Sequence, residues 1–159
     1  MFYRLISTPN DRTLAMLRLI LGIVFFAHGA QKLLGWFGGP GFSATLQFFN
    51  QMGIPKVVAF LPIAAEFLGG IALIIGFLGR VAALGIMIDM LVAIAMVHLP
   101  NGFFMNWSGT QSGEGFEYHL LAIAIGLAVF IKGSGAISVD RALTEHLSRP
   151  AGIRERFAA

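Results

Sequence analysis

The sequence predicts an all-α integral membrane protein, a bundle of four helices with a short interfacial helix in the first outer loop. Three observations predict it. Of the 159 residues, 57% are hydrophobic and 12% charged, where a soluble domain carries roughly 25% charged residues. Mean hydropathy is +0.79. Four apolar stretches, 19–27, 57–65, 67–78 and 120–131, have almost no polar face, although each helix of a small soluble bundle needs one.

The chain is read as one membrane domain over 1–159, with spans at about 13–36, 56–78, 81–99 and 116–132 and a cytoplasmic tail, 133–159. Asn10 or Asp11 is the candidate N-cap of the first span, and Pro9 marks the boundary before it. A Gly-rich turn follows Trp36. Residues 42–52 then place Leu46, Phe49 and Met52 at helical spacing, as expected of a short helix lying in the interface and closed by Gly53 and Pro55. The second span holds Pro62 in its first turns, where a kink is tolerated. Gly79-Arg80 leaves room for a very short turn, so the second and third spans form an antiparallel hairpin. Pro100-Asn101-Gly102 stops the third, and a polar loop without Lys or Arg leads to the fourth, which Lys132-Gly133 ends. Beyond it, 138–147 reads as a brief amphipathic helix capped by Ser138, and 149–159 as a mobile tail.

The net charge of +3 does not point to nucleic acid, because the basic residues form no run and sit mostly at span ends. With no cysteine the chain holds no disulfide and no thiol relay. The first apolar run is too long for a cleavable signal and should remain as a helix. Arg4, Arg12, Arg18, Arg80, Lys132, Arg141, Arg149, Arg154 and Arg156 fall on one side, against Lys32 and Lys56 on the other. That bias places both termini in the cytoplasm of a bacterial inner-membrane protein, with Trp36 and Trp107 in the outer aromatic belt.

A charge inside a span is costly and needs a partner. At a rise of about 1.5 Å per residue, Arg18 lies roughly 8 Å from the cytoplasmic end of the first span and Asp89 roughly 12 Å from that end of the third, so the two are expected to form a structural ion pair. The outer half is richer. His28 and Lys32 stand one turn apart on one face of the first span. Glu66 lies about 15 Å down the second, His98 closes the third, and Glu117, Tyr118 and His119 open the fourth. Glu66 in hydrocarbon needs a proton or a cation, and Lys32 is at a suitable depth. Glu117 and His119 cannot both face one cavity, and Glu117 is preferred.

Such a cluster can bind a polar head group and exchange protons with it. A quinone or menaquinone fits that description: two carbonyls, an apolar tail left in lipid, and protons to move. His28, Lys32, His98 and Tyr118 are the expected head-group ligands, and Glu66 and Glu117 the proton carriers. No metal is expected, since neither His-x-x-x-His nor Glu-x-x-His spacing occurs. Haem is not expected either, because His28 and His98 are the only imidazole pair at matched depth.

These same residues resemble the DoxX family of small bacterial inner-membrane proteins. The matching elements are Arg18-Leu19, His28-Gly29-Ala30-Gln31-Lys32-Leu33, Glu66-Phe67-Leu68-Gly69-Gly70, His98 and Glu117-Tyr118, with an ending from Gly135 to Asp140. The resemblance implies a four-helix membrane bundle, distantly similar to quinone- and vitamin-K-linked membrane subunits. It also implies a place in quinol oxidase or thiosulfate:quinone oxidoreductase complexes, or beside other redox enzymes.

The expectation is therefore a quinone-linked redox subunit or accessory, embedded in lipid, binding a quinone-like small molecule and working with redox-enzyme partner subunits. With no electron carrier legible in the chain, catalysis would need such a partner. Two other classes compete: a non-catalytic scaffold for redox enzymes, and a small-molecule or proton permease in which the outer cavity connects to Arg18 and Asp89.

Overall fold

The computed structural model describes residues 2–148, and all regular structure among them is helical. Its long helices are α2 (Arg12–Leu34), α4 (Lys56–Ile75), α5 (Gly79–Ala93) and α6 (Glu117–Lys132), with short helices α1 (Phe2–Ile6), α3 (Gly41–Gln51) and α7 (Val139–Ser148) at their ends. A π-helical turn, Ile94–His98, and a 3-10 turn, Leu99–Asn101, prolong α5. Among the described residues three segments are long and apolar enough to cross a membrane: Arg12–Leu34, Lys56–Ile75 and Gly79–Asn101. At 16 residues α6 is shorter than the roughly 20 a spanning helix takes. The expected tail 149–159, with Arg149, Arg154 and Arg156, lies outside the described residues.

Local chemistry sets the helix ends. The Asp11 carboxylate accepts the Leu14 N–H at 3.0 Å and caps α2, and Gly35, at φ 73°, closes it in the left-handed conformation. Ser138 caps α7 by accepting the Arg141 N–H at 3.2 Å. The N-terminus of α5 is capped from far away in sequence. Asp140, only 1% exposed, accepts Leu78 N–H at 2.8 Å, Gly79 N–H at 3.0 Å and the Ser134 hydroxyl at 2.5 Å. A buried carboxylate with three donors, at a helix N-terminus, is well satisfied.

The core joins Leu14, Leu21 and Phe25 of α2 to Leu73 of α4, Ala83, Ile86 and Met90 of α5, and Ala122 and Val129 of α6. Large apolar residues such as Ile20, Leu61, Leu68, Ile88 and Leu121 are exposed on the outside, the pattern of helices apolar all round. The tightest pairing is α2 against α4, where small residues let the backbones touch. A Cβ on Gly29 would lie 2.4 Å from the Phe67 nitrogen, and one on Gly70 2.4 Å from the Phe26 nitrogen. Backbone cannot yield as a side chain does. Gly29→Ala and Gly70→Ala should therefore each destabilise by about 1–3 kcal/mol, the usual penalty of overpacking. Thermal unfolding in detergent checks this, and wild-type melting of both variants would refute the close crossing.

The described chain ends meet at one end of the bundle, where the Thr144 hydroxyl donates to Ile6 O at 3.1 Å. Arg80 lies there too, donating to Leu5 O at 3.0 Å and Ser7 O at 2.6 Å. At the opposite end are Trp36, α3 and the loop carrying Trp107.

Candidate functional site

Beneath α3, at the tryptophan end, the helices enclose a cavity of about 920 Å³. One side is polar. From α2 it takes His28, Gln31 and Lys32, from α4 Glu66, from α5 Asp89, from the π-helical turn His98, and from α6 Tyr118 and His119. Thr45 and Glu114 apart, the rest is apolar, with Phe48 and Phe49 of α3 and Met52 just after it as a roof, and Leu61 of α4, Ile88 and Val92 of α5 and Met96 of the π-helical turn along a cleft.

Helical geometry explains the cluster. Side chains lean toward their helix N-terminus, so Lys32, in the last turn of α2, points back into the bundle. Its Nζ meets Glu66 Oε1 at 2.5 Å, with Glu66 3% and Lys32 30% exposed. The other Glu66 oxygen, Oε2, has no hydrogen-bond partner, and neither has Asp89 Oδ2. Both carboxyl groups line the same cavity. The cluster therefore comprises one cation and two carboxyl groups that share a site.

The same lean explains the fate of Arg18. The expected Arg18–Asp89 ion pair does not form; among the described residues the ion pairs are Lys32–Glu66 and Arg141–Glu145. Arg18 sits near the N-terminus of α2 and reaches away from Asp89, toward the helix ends. Its Nε donates to Ser134 O at 2.8 Å, Nη1 to Leu73 O and to Ile74 O, and Nη2 to Ile137 O at 3.2 Å. The last carbonyls of α4 carry its negative dipole end, and Leu73 O has only the Gly76 N–H at 3.3 Å besides, so a guanidinium satisfies them. Asp89 instead joins Glu66. A depth of about 12 Å from one face and about 15 Å from the other, in a layer of about 30 Å, puts the two within one turn of each other.

Around the cluster runs a row of rings. His28 lies 6.5 Å from Phe25 and 6.3 Å from Tyr118, Tyr118 lies 5.5 Å from His119, and His119 lies 4.0 Å from His98. His98 Nδ1 is 2.8 Å from Glu114 O, so it donates there and leaves Nε2 as the acceptor. Tyr118 Oη and His119 Nδ1 are buried without partners. π-helical turns inside α-helices are frequent at functional sites, and here the turn ends on His98.

Glu117 is a second correction. It opens α6, and its Oε1 accepts Met105 N–H at 3.0 Å and Trp107 Nε1–H at 3.3 Å. A carboxylate at a helix N-terminus with two donors from the facing loop is a loop fastener. It does not line the cavity, whereas His119 does. Thr45 was not singled out by sequence, yet it is buried and ties the roof down: its hydroxyl lies 3.1 Å from Lys32 O and 2.8 Å from Gly41 O. Its signal was positional, since Thr45 shares a face with Phe48, Phe49 and Met52.

The family model described as DoxX matches residues 13–99. The protein named Putative oxidoreductase CatD, of Bacillus subtilis, is 33% identical over 125 residues, which is 79% of this chain and 82% of that protein. An uncharacterised membrane protein of Mycobacterium tuberculosis is 30% identical over 89% of this chain and 88% of its own length. The inner membrane protein YqjF of Escherichia coli is 30% identical over 86% of this chain and 95% of its own. No solved structure matches the chain.

Proposed function

We propose, from the premise that this chain belongs to the DoxX family of membrane proteins, that its cavity binds the head group of a quinone or menaquinone and moves protons to and from it. The protein then serves as a redox subunit or accessory. One observation carries the reading: Glu66 Oε2, Asp89 Oδ2, Tyr118 Oη and His119 Nδ1, all buried and unpartnered, belong to residues that line a single cavity. Buried polar groups are normally satisfied, so four orphans around one space call for a polar ligand.

The donor set fits a ring with two carbonyls. Lys32 spends one of its three donors on Glu66, which leaves two, and Tyr118 has a free O–H. His28 stands beside Tyr118 on the same wall and can donate or accept. A bound quinone supplies the two-electron, two-proton chemistry. In this chain Lys32, His28 and Tyr118 orient the head group, Glu66 and Asp89 hold and deliver protons, and the roof of α3 keeps water out. Electrons come from a partner subunit, because the chain has no thiol relay.

The same reading places the tryptophan end outside the inner membrane. Arg4, Arg12, Arg18, Arg80, Lys132 and Arg141 lie toward the opposite end, against Lys32 and Lys56, and cytoplasmic ends carry the excess of Lys and Arg.

Titration of the purified protein in phospholipid nanodiscs with a menaquinone tests the reading. Saturable binding is expected, with Tyr118→Phe and His28→Ala each weakening it roughly tenfold, the worth of one good hydrogen bond. Absence of saturable binding, or wild-type affinity in both variants, rejects it.

A further inference from the structure

On its apolar side the cavity is lined by residues of α4 and α5, which form a slot between the two helices. Leu61 and Ala65 line one side, Gly85, Ile88 and Val92 the other, and the spacings i,i+4 and i,i+3,i+7 place each set on one helix face. Leu61 is 64%, Ile88 54% and Val92 47% exposed on the outer surface. The slot is therefore a lateral mouth, without a charged side chain along it.

Gly85 is unlike the glycines of the α2–α4 crossing. There an added Cβ would strike backbone at 2.4 Å; at Gly85 it would meet a single atom, the Ala65 Cβ, at 3.9 Å. Gly85 does not serve to bring two helices together. It leaves a space, and that space is part of the cavity. The volume of about 920 Å³ is near the top of the range of about 300–1,000 Å³ for small-molecule sites, more than one ring occupies. A water-soluble ligand would find no polar group at this mouth, whereas an apolar chain replaces lipid there at no cost in desolvation.

We infer that the ligand is a lipid-dissolved molecule with a prenyl-type tail, and that the tail leaves the head-group site over Gly85 through the α4–α5 slot into the bilayer. The inference rests on the quinone reading for the head group and adds the route and the specificity of the tail. Gly85 sets how much chain the slot admits.

The test compares prenyl-tailed menaquinone with the tail-less ring 2-methyl-1,4-naphthoquinone, binding to protein in phospholipid nanodiscs. Gly85→Leu fills the slot and is expected to weaken the tailed compound at least roughly tenfold while changing the tail-less one by less than about twofold. Gly85→Ala, which fills less of the slot, should weaken the tailed compound less than Gly85→Leu does, and melting temperatures show that both variants fold. Equal weakening of both compounds in Gly85→Leu, or weakening of neither, overturns the tail route. Wild-type binding of the ring alone as tightly as the tailed molecule overturns the route and leaves the head-group reading standing; wild-type binding of neither compound removes both.

Discussion

Arg18→Leu is expected to cost about 3–5 kcal/mol, because it removes a charged donor from several buried carbonyls at once, each worth about 1–3 kcal/mol. The guanidinium is 3% exposed and makes four contacts with backbone carbonyls, tying α2 to the end of α4 and to the chain before α7. Leucine is close in bulk but donates nothing. It would leave the Leu73, Ile74, Ser134 and Ile137 carbonyls without this donor and take the positive charge away from buried Asp140. Arg18→Lys keeps the charge without the planar fork, so it should recover only a minor part of the loss. Thermal unfolding in detergent measures both. An Arg18→Leu protein melting within about 2 °C of wild type, less than 1 kcal/mol for a chain this size, would show that these contacts contribute little.

The second large effect belongs to Glu66→Gln. Glutamine preserves the shape of the side chain, but it neither balances Lys32 nor holds a transferable proton. If the carboxyl group delivers protons to the head group, quinol-linked turnover per folded protein should fall about 10²–10⁴-fold, the usual worth of a positioned acid or base. Stability should fall less, by about 1–3 kcal/mol, because Lys32 remains 30% exposed and can swing toward water. The two readouts separate chemistry from architecture. Reduced melting temperature with undiminished turnover per folded molecule would make the Lys32–Glu66 pair a brace for α2 and α4, and would favour the scaffold reading.

Much of the bundle was legible because membrane helices advertise themselves by length and apolarity, and the caps at Asp11 and Ser138 follow from residue chemistry. The meeting of Lys32 with Glu66 was legible for a similar reason, since a buried carboxylate needs a cation and one lay at its depth. Helix rotation and the direction of long side chains were not. Arg18 was matched with Asp89 by depth of Cα atoms alone, while a guanidinium reaches several ångströms along the helix and took the carbonyls of α4 instead. Helix periodicity separates Glu117 from His119 but does not say which faces the cavity, and at the first residue of α6 the neighbours of Glu117 are the N–H groups of Met105 and Trp107. The α1 helix left no clear signal, being a single turn and a half outside the apolar runs. The Asp140 cap escaped notice because its partners, Leu78 and Gly79, are 62 and 61 residues distant.

That long-range stitching bears on the order in which the protein is made. Arg18 enters the bilayer with the first helix, yet two of its four acceptors, Ser134 O and Ile137 O, are synthesised 116 and 119 residues later. The turn between α4 and α5 likewise waits for Asp140 to emerge from the ribosome. Until then the half-made protein has only the two α4 carbonyls, Leu73 O and Ile74 O, for its guanidinium, and an uncapped hairpin, both costly in lipid. The segment 134–140 is thus the latch that turns a row of inserted helices into a closed molecule, and a chain stopped before it lacks two of the acceptors for that charge.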